Sequence, residues 1–188
     1  MRADERAEVD RVMLERCRAG DRMALRGFVV RYERAVFALL SRMLGRSAEV
    51  EDLAQDTFLR AIAALPRFDP EGPARVSTWL LTIAMRLALD RMKKRVPTPR
   101  ASLDWVAAEQ GSPEGETSRA ELRRAIALAV GGLPHDQRAA FVLAQFHEFS
   151  IAEIAEALSV PEATVKTRLF RAREKLGRAL SDFGGERG

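Results

Sequence analysis

Between Val96 and Ser118 the chain breaks its own pattern. The segment VPTPRASLDWVAAEQGSPEGETS holds three prolines and two glycines and sustains no period. Proline lacks an amide hydrogen and glycine loses the most entropy on ordering, so such a run reads as a linker. On either side, apolar residues recur at three- and four-residue steps, the period of an amphipathic helix. No alternating stretch of strand length stands out. The expectation is an all-α protein of two small helical domains, 1–95 and 119–188, joined by a flexible linker, 96–118.

The charge divides along the same boundaries. Residues 1–95 carry 19 Lys/Arg against 14 Asp/Glu, net +5. Residues 96–118 hold Arg100 against Asp104, Glu109, Glu114 and Glu116, net −3. Residues 119–188 hold 11 against 9, net +2. Two basic units around an acidic segment suit a protein that handles a polyanion, although net charge alone is weak evidence. Cys17 is the single cysteine and His135 and His147 the two histidines, so no disulfide and no four-ligand Cys/His zinc site is expected. The N-terminus mixes Arg2, Asp4, Glu5 and Arg6 without an apolar run, so neither a signal peptide nor membrane insertion is expected, and the location is read as cytoplasmic. No P-loop, G-x-G-x-x-G, G-x-S-x-G or H-E-x-x-H motif is present, and neither enzyme activity nor a cofactor is expected.

Punctuation residues place the helices. Gly20-Asp21 splits the periodic run Val12–Leu44, and Gly45 ends it. Ser47 is the expected N-cap of a helix with Glu49 and Glu51 in its first turn, and Pro66 stops that helix. A loop Arg67–Pro73 leads to a helix from about Ser77 to Arg95. Ser118-Arg-Ala-Glu121 and Ser150-Ile-Ala-Glu153 both have the capping-box pattern. Gly131-Gly132 closes one helix, and Pro134 suits the first turn of the next.

The last two helices form the most specific pattern. Ile151, Ile154, Ala155 and Leu158 make one apolar stripe, Val165 and Leu169 the facing one, with a three-residue turn, Ser159-Val160-Pro161, between. That is helix-turn-helix spacing. Around the rest of the second helix lie Thr164, Lys166, Thr167, Arg168, Arg171, Arg173 and Lys175, a surface suited to base edges and phosphates in a major groove.

Two further surfaces are weaker signals alone. The Ser77–Arg95 helix is apolar nearly all round, with Thr82, Arg86, Asp90 and Lys93 forming one narrow polar strip. Its end, Arg91, Lys93, Lys94 and Arg95, is densely basic, and the Phe68–Arg75 loop precedes it. A basic helix beside an aromatic-bearing loop suits unstacked single-stranded DNA, yet Trp79 by itself reads more simply as core. On the preceding helix Asp52, Gln55, Asp56 and Leu59 face away from the core stripe. Such a strip can dock a basic partner helix around Leu59, or merely be a solvated face.

In this order the motifs EDLAQDTFLRA (Glu51–Ala61), STWLLTIAMRLALDRMKKR (Ser77–Arg95), LPHDQRAAFVL (Leu133–Leu143) and SIAEIAEALSVPEATVKTRLFRAREKL (Ser150–Leu176) resemble extracytoplasmic function (ECF) sigma factors of bacterial RNA polymerase. The likeness spans roughly residues 12–95 and 119–180. It implies that Asp52, Gln55, Asp56 and Leu59 dock on the β′ clamp of core RNA polymerase, with the second domain against the β flap. It implies that Phe68, Arg75, Ser77, Trp79, Thr82, Arg86, Lys93, Lys94 and Arg95 recognise and melt the −10 element, the loop holding a flipped base. Thr164, Lys166, Thr167, Arg168, Arg171, Arg173 and Lys175 would read the −35 element as duplex. The acidic linker would thread toward the polymerase cleft, and an anti-sigma factor would be the regulating partner. The chain departs from the family in Arg86, where Asn is common, and in Ser159, where a turn glycine is common and a serine is tolerable if the residue avoids positive φ.

The competing assignment is a stand-alone helix-turn-helix regulator, but no heptads or extra helix supply a dimer element. The 23-residue linker has a root-mean-square span of about 25–30 Å and a reach of roughly 75–80 Å. Promoter elements more than one DNA turn apart, about 34 Å, would stretch it. The free protein is therefore expected to keep its domains close.

Overall fold

The computed structural model describes residues 9–45, 47–94 and 117–181. Every element among them is helical. The first unit comprises α1 (Arg11–Arg18), α2 (Arg22–Leu44), α3 (Ala48–Ala64), a 3₁₀ turn (Leu65–Arg67) and α4 (Val76–Lys94). The second comprises α5 (Thr117–Gly131), α6 (His135–Phe146), α7 (Ile151–Leu158) and α8 (Glu162–Ala179).

Local chemistry sets the first corner. The Asp10 carboxylate accepts from the Met13 N–H at 2.7 Å, capping α1. Gly20, at φ 79°, reverses the chain. Asp21 then caps α2 by accepting from the Met23 and Ala24 N–H groups, and it also receives Nε and Nη2 of Arg16 at 2.9 and 2.7 Å. Those bonds, Arg16 first, hold the Asp21 carboxyl below its ordinary range. Gly45, at φ 77°, ends α2 as expected.

The first core lies among α2, α3 and α4. Phe28 is fully buried and meets Tyr32 and Phe58 edge-on, with ring centroids 5.1 and 6.4 Å away. Around it pack Val36, Leu39 and Leu40 of α2, Ala61 of α3, and Leu80, Ala84 and Met85 of α4. Thr57 is buried, and its hydroxyl donates to the Leu53 carbonyl at 2.7 Å, which removes the desolvation cost. Cys17 is buried in the same core, and burial pushes its thiol up, the behaviour of a packing residue rather than a redox switch.

The apolar core continues into the second unit through Val130, Leu133, Ala140, Leu143, Ile154, Val165 and Leu169. Arg138 of α6 binds it to the end of α5, its guanidinium donating to the carbonyls of Gly131 and Leu133.

The two units pack against each other, α2 and α4 meeting α6 and α7. This agrees with the closeness expected from the linker. Arg138 Nη1 donates across the boundary to the Met43 carbonyl at 2.8 Å, and the Arg42 guanidinium lies 4.2 Å from the centre of the Phe146 ring.

Several expectations need correction. Ser47 occupies the N-cap of α3, but its hydroxyl makes no capping bond and is buried without a partner. Thr117 is already helical, so Ser118 lies inside α5 rather than capping it, and the last two residues assigned to the linker belong to the helix. Residues 95–116, including Arg95 and most of the linker, lie outside the described residues. Pro134 is the N-cap of α6, at ψ 145°, one position before the first turn. Ser159 does take positive φ, 53°, because the turn requires it.

Candidate nucleic-acid interface

The helix-turn-helix is built from local bonds. Ser150 Oγ accepts from the Glu153 N–H at 3.2 Å, and Glu153 Oε2 accepts from the Ser150 N–H at 2.8 Å, a complete capping box for α7. At the other end the Ser159 N–H donates to Glu156 and the Val160 N–H to Ala155, the bonds of a left-handed helix stop. The turn aims α8 so that Val165, Leu169, Ala172 and Leu176 enter the core. The sequence stripes omitted Ala157, which is also buried and lets the helices approach.

The outer surface of α8 has two faces. Thr164, Thr167, Arg168 and Arg171 line a groove of about 360 Å³ opened by the first turn of α6. Arg168 is turned toward that helix, Nη2 lying 2.7 Å from Asp136 Oδ2. Lys166, Phe170 and Arg173 share the other face by their spacing. Phe170 is 68% exposed in the middle of this basic surface. Its signal in the sequence was an aromatic one step off the buried stripe. Lys175 stands apart from the groove residues, lining an apolar cleft between α5 and α8 with Leu128 and Leu133.

In the first unit, the loop before α4 is braced from below. Phe68 is buried, its ring centroid 4.9 Å from that of half-buried Trp79. Phe68 therefore shapes the loop from inside rather than presenting its ring. The Asp69 carboxylate accepts from the Glu71 N–H at 3.0 Å, tightening the turn. Sequence reasoning missed the contribution of α1: Arg18 donates to the Pro66 carbonyl, and Arg11 pairs with Glu71 at 2.8 Å. Arg75, Lys93 and Lys94 are exposed, and Ser77 and Thr82 half-buried. The Thr82 hydroxyl donates to the Thr78 carbonyl at 2.8 Å. Arg86 reaches the second unit, donating to the Glu156 and Ala157 carbonyls, both at 3.2 Å.

On α3, Asp52, Gln55, Asp56 and Leu59 fall at i, i+3, i+4 and i+7 and are all exposed, Leu59 at 58%. One helical face thus carries two carboxylates around an apolar knob. Among the described residues no group of three or more His, Cys, Asp or Glu is placed to hold a metal, and no helix is long and apolar enough to cross a membrane.

Residues 28–97 match the Sigma-70 region 2 family, and residues 123–176 match Sigma-70 region 4. The chain is 34% identical over 181 residues to the ECF RNA polymerase sigma factor SigW of Bacillus subtilis, covering 90% of this chain and 96% of that one. Its fold is similar to CnrH, solved in complex with the cytosolic domain of CnrY, with a TM-score of 0.66, 26% identity and 92% and 97% coverage. It is also similar to the sigma factor RpoE of Bartonella quintana, solved with the anti-sigma factor NepR, with a TM-score of 0.67, 25% identity and 83% and 96% coverage. Two sigma regions in order, covering most of the chain, place it in a family of non-enzymatic initiation factors: this protein belongs to the ECF sigma factors, which direct transcription initiation by RNA polymerase.

Proposed function

We propose that the exposed α3 face docks this chain on the β′ clamp of core RNA polymerase, with Asp52, Gln55, Asp56 and Leu59 as the contacts. Acidic groups around an apolar anchor suit a basic partner helix, the apolar centre supplying desolvation and the charges orientation. The second unit would meet the β flap.

The loop Asp69–Arg75 and α4 read and melt the −10 element in this assignment. Trp79, packed on Phe68, supplies a rigid aromatic base to the loop, while Arg75, Ser77, Thr82, Arg86, Lys93 and Lys94 offer donors to unstacked bases and phosphates. Stacking and charge together are what single-stranded DNA requires. The groove side of α8, Thr164, Thr167, Arg168 and Arg171, enters the major groove at −35. Lys166, Arg173 and Lys175 serve phosphates, which position the helix without reading sequence. The protein works in the cytoplasm. An anti-sigma factor restrains it, a reading supported by the likeness to RpoE, solved with the anti-sigma factor NepR.

The observation that carries this reading is the pairing of a helix-turn-helix bearing an outward basic surface with an exposed acidic-apolar face on a separate unit. The test is in vitro transcription on fragmented genomic DNA, with core polymerase plus and minus the protein. New start sites sharing two upstream sequence blocks are expected. Duplex binding without polymerase and no new starts would instead indicate a stand-alone regulator.

A further inference from the structure

The loop between α3 and α4 is shaped by its own bonds. The Phe68 N–H donates to the Leu65 carbonyl at 3.1 Å and the Gly72 N–H to the Asp69 carbonyl at 3.2 Å. The Asp69 carboxylate accepts from the Glu71 N–H at 3.0 Å. Such bonds close a turn without fixing where it stands on the domain. Phe68 anchors it from inside, beneath Trp79. From outside, α1 reaches it twice. Arg18 donates from Nη2 to the Pro66 carbonyl at 3.3 Å, where the 3₁₀ turn feeds the loop. Arg11 Nη1 lies 2.8 Å from Glu71 Oε1, farther along. The two arginines stand at i and i+7 and so share one face of α1.

The helix that carries them is itself well seated. Leu14 and Cys17 enter the core. Met13 closes over Gly27 of α2, where a Cβ would come within 2.6 Å of its Cε. Arg16 bonds Asp21 at the corner into α2. A helix fixed along its core face and at its exit can hold a loop in place.

Glu71 is at odds with the role assigned to its loop. A loop that receives a flipped base lies beside the phosphates that flank that base, and a carboxylate there repels them. Arg11 covers this carboxylate. Both side chains are exposed, 71% for Arg11 and 70% for Glu71. An exposed pair adds little to folding stability. The pair is therefore better matched to setting the charge that the loop presents than to holding the domain together.

We propose that α1 serves −10 capture through two positioning residues. Arg18 fixes the root of the base-holding loop, and Arg11 covers the Glu71 carboxylate so that the loop accepts a DNA strand. Neither arginine contacts DNA in this role. The proposal deepens the −10 assignment and rests on it.

The test uses holoenzyme, core polymerase with the full chain, on a promoter recovered in the transcription assay. The probe carries 2-aminopurine in the downstream sequence block, and its fluorescence rises when the base leaves the stack. Arg11→Ala is expected to slow that rise about three- to tenfold at low salt. The defect should shrink as salt screens the uncovered carboxylate. Glu71→Gln added to Arg11→Ala should return the rate to within about twofold of the wild type. Arg18→Ala should lower the final signal at every salt concentration, and Arg18→Lys should recover part of it. Urea midpoints, and binding to duplex carrying the upstream block alone, are expected to match the wild type. A variant that loses both along with capture would make its arginine a fold residue and overturn its positioning role. An Arg11→Ala defect that Glu71→Gln leaves in place would overturn the covering role. Wild-type capture by Arg18→Ala would overturn the fixing of the loop root. A wild-type probe that stays dark would remove the −10 assignment itself, whereas a bright wild type with unaltered variants would overturn the α1 proposal alone.

Discussion

Arg168 of α8 lies 2.7 Å from Asp136 at the first turn of α6. The pair spans 32 residues and bridges the groove that faces outward from the helix-turn-helix. Arg168 retains only 21% side-chain exposure against 62% for Asp136, so the arginine is the held partner. The carboxylate both orients the guanidinium and competes with DNA for it. Arg168→Ala is expected to weaken −35-dependent transcription by about 1–3 kcal/mol if the contact is to a base. Asp136→Asn is expected to raise affinity for duplex DNA of any sequence, with a steeper salt dependence. Binding titrations at several salt concentrations check both, and identical curves for all three proteins would remove Arg168 from the interface.

The α3 face makes a separable prediction. Asp52→Arg with Leu59→Ala should abolish binding to core polymerase in gel filtration. Both side chains are exposed, so stability should stay within about 0.5 kcal/mol of the parent. Undiminished binding would assign polymerase docking to another surface.

Ser159 is held at φ 53° and ψ 49° by the stop of α7. A side chain in this left-handed region costs roughly 1 kcal/mol that glycine does not incur. Ser159→Gly is expected to raise stability by about 0.5–1 kcal/mol, measured by urea denaturation, and a β-branched Ser159→Val to lower it. A destabilising glycine would show that the turn is not strained.

His147, at the end of α6, is half-buried, with its Nε2 shielded from solvent and unpartnered. Burial, with the Arg42 charge second, depresses its pKa to about 4, against about 6.5 in an unfolded chain. Between those values the unfolded chain binds a proton that the folded chain refuses. Stability is therefore lost as pH falls from about 6.5 toward 4, by up to about 1.4 kcal/mol per pH unit, and this group contributes no slope above that window. His135, depressed by burial and by Arg138 against the opposing effect of Asp136, adds a smaller slope of the same sign. His147→Leu should narrow the difference in urea midpoint between pH 7 and pH 5.5. An unchanged difference would mean that another group is being protonated.

Helix positions, most of their ends and the helix-turn-helix were legible in the sequence because they depend on neighbours three or four residues away. Periodicity located the buried stripes, and Asp21, Ser150 and the glycines Gly20 and Gly45 marked the ends. The exposed α3 face followed from the same spacing. Local pattern failed where tertiary packing overrode it. Ser47 kept its cap position but lost its capping bond, and Phe68 turned inward beneath Trp79. Ser159 took positive φ at the left-handed stop of α7. The arginine bonds between the units left no trace in the sequence. Arg86 reaches a carbonyl 70 residues away and Arg138 one 95 residues away. A side-chain partner would have shown itself as a complementary residue. A main-chain carbonyl is the same at every position, so only the packing of the folded chain selects which one an arginine finds.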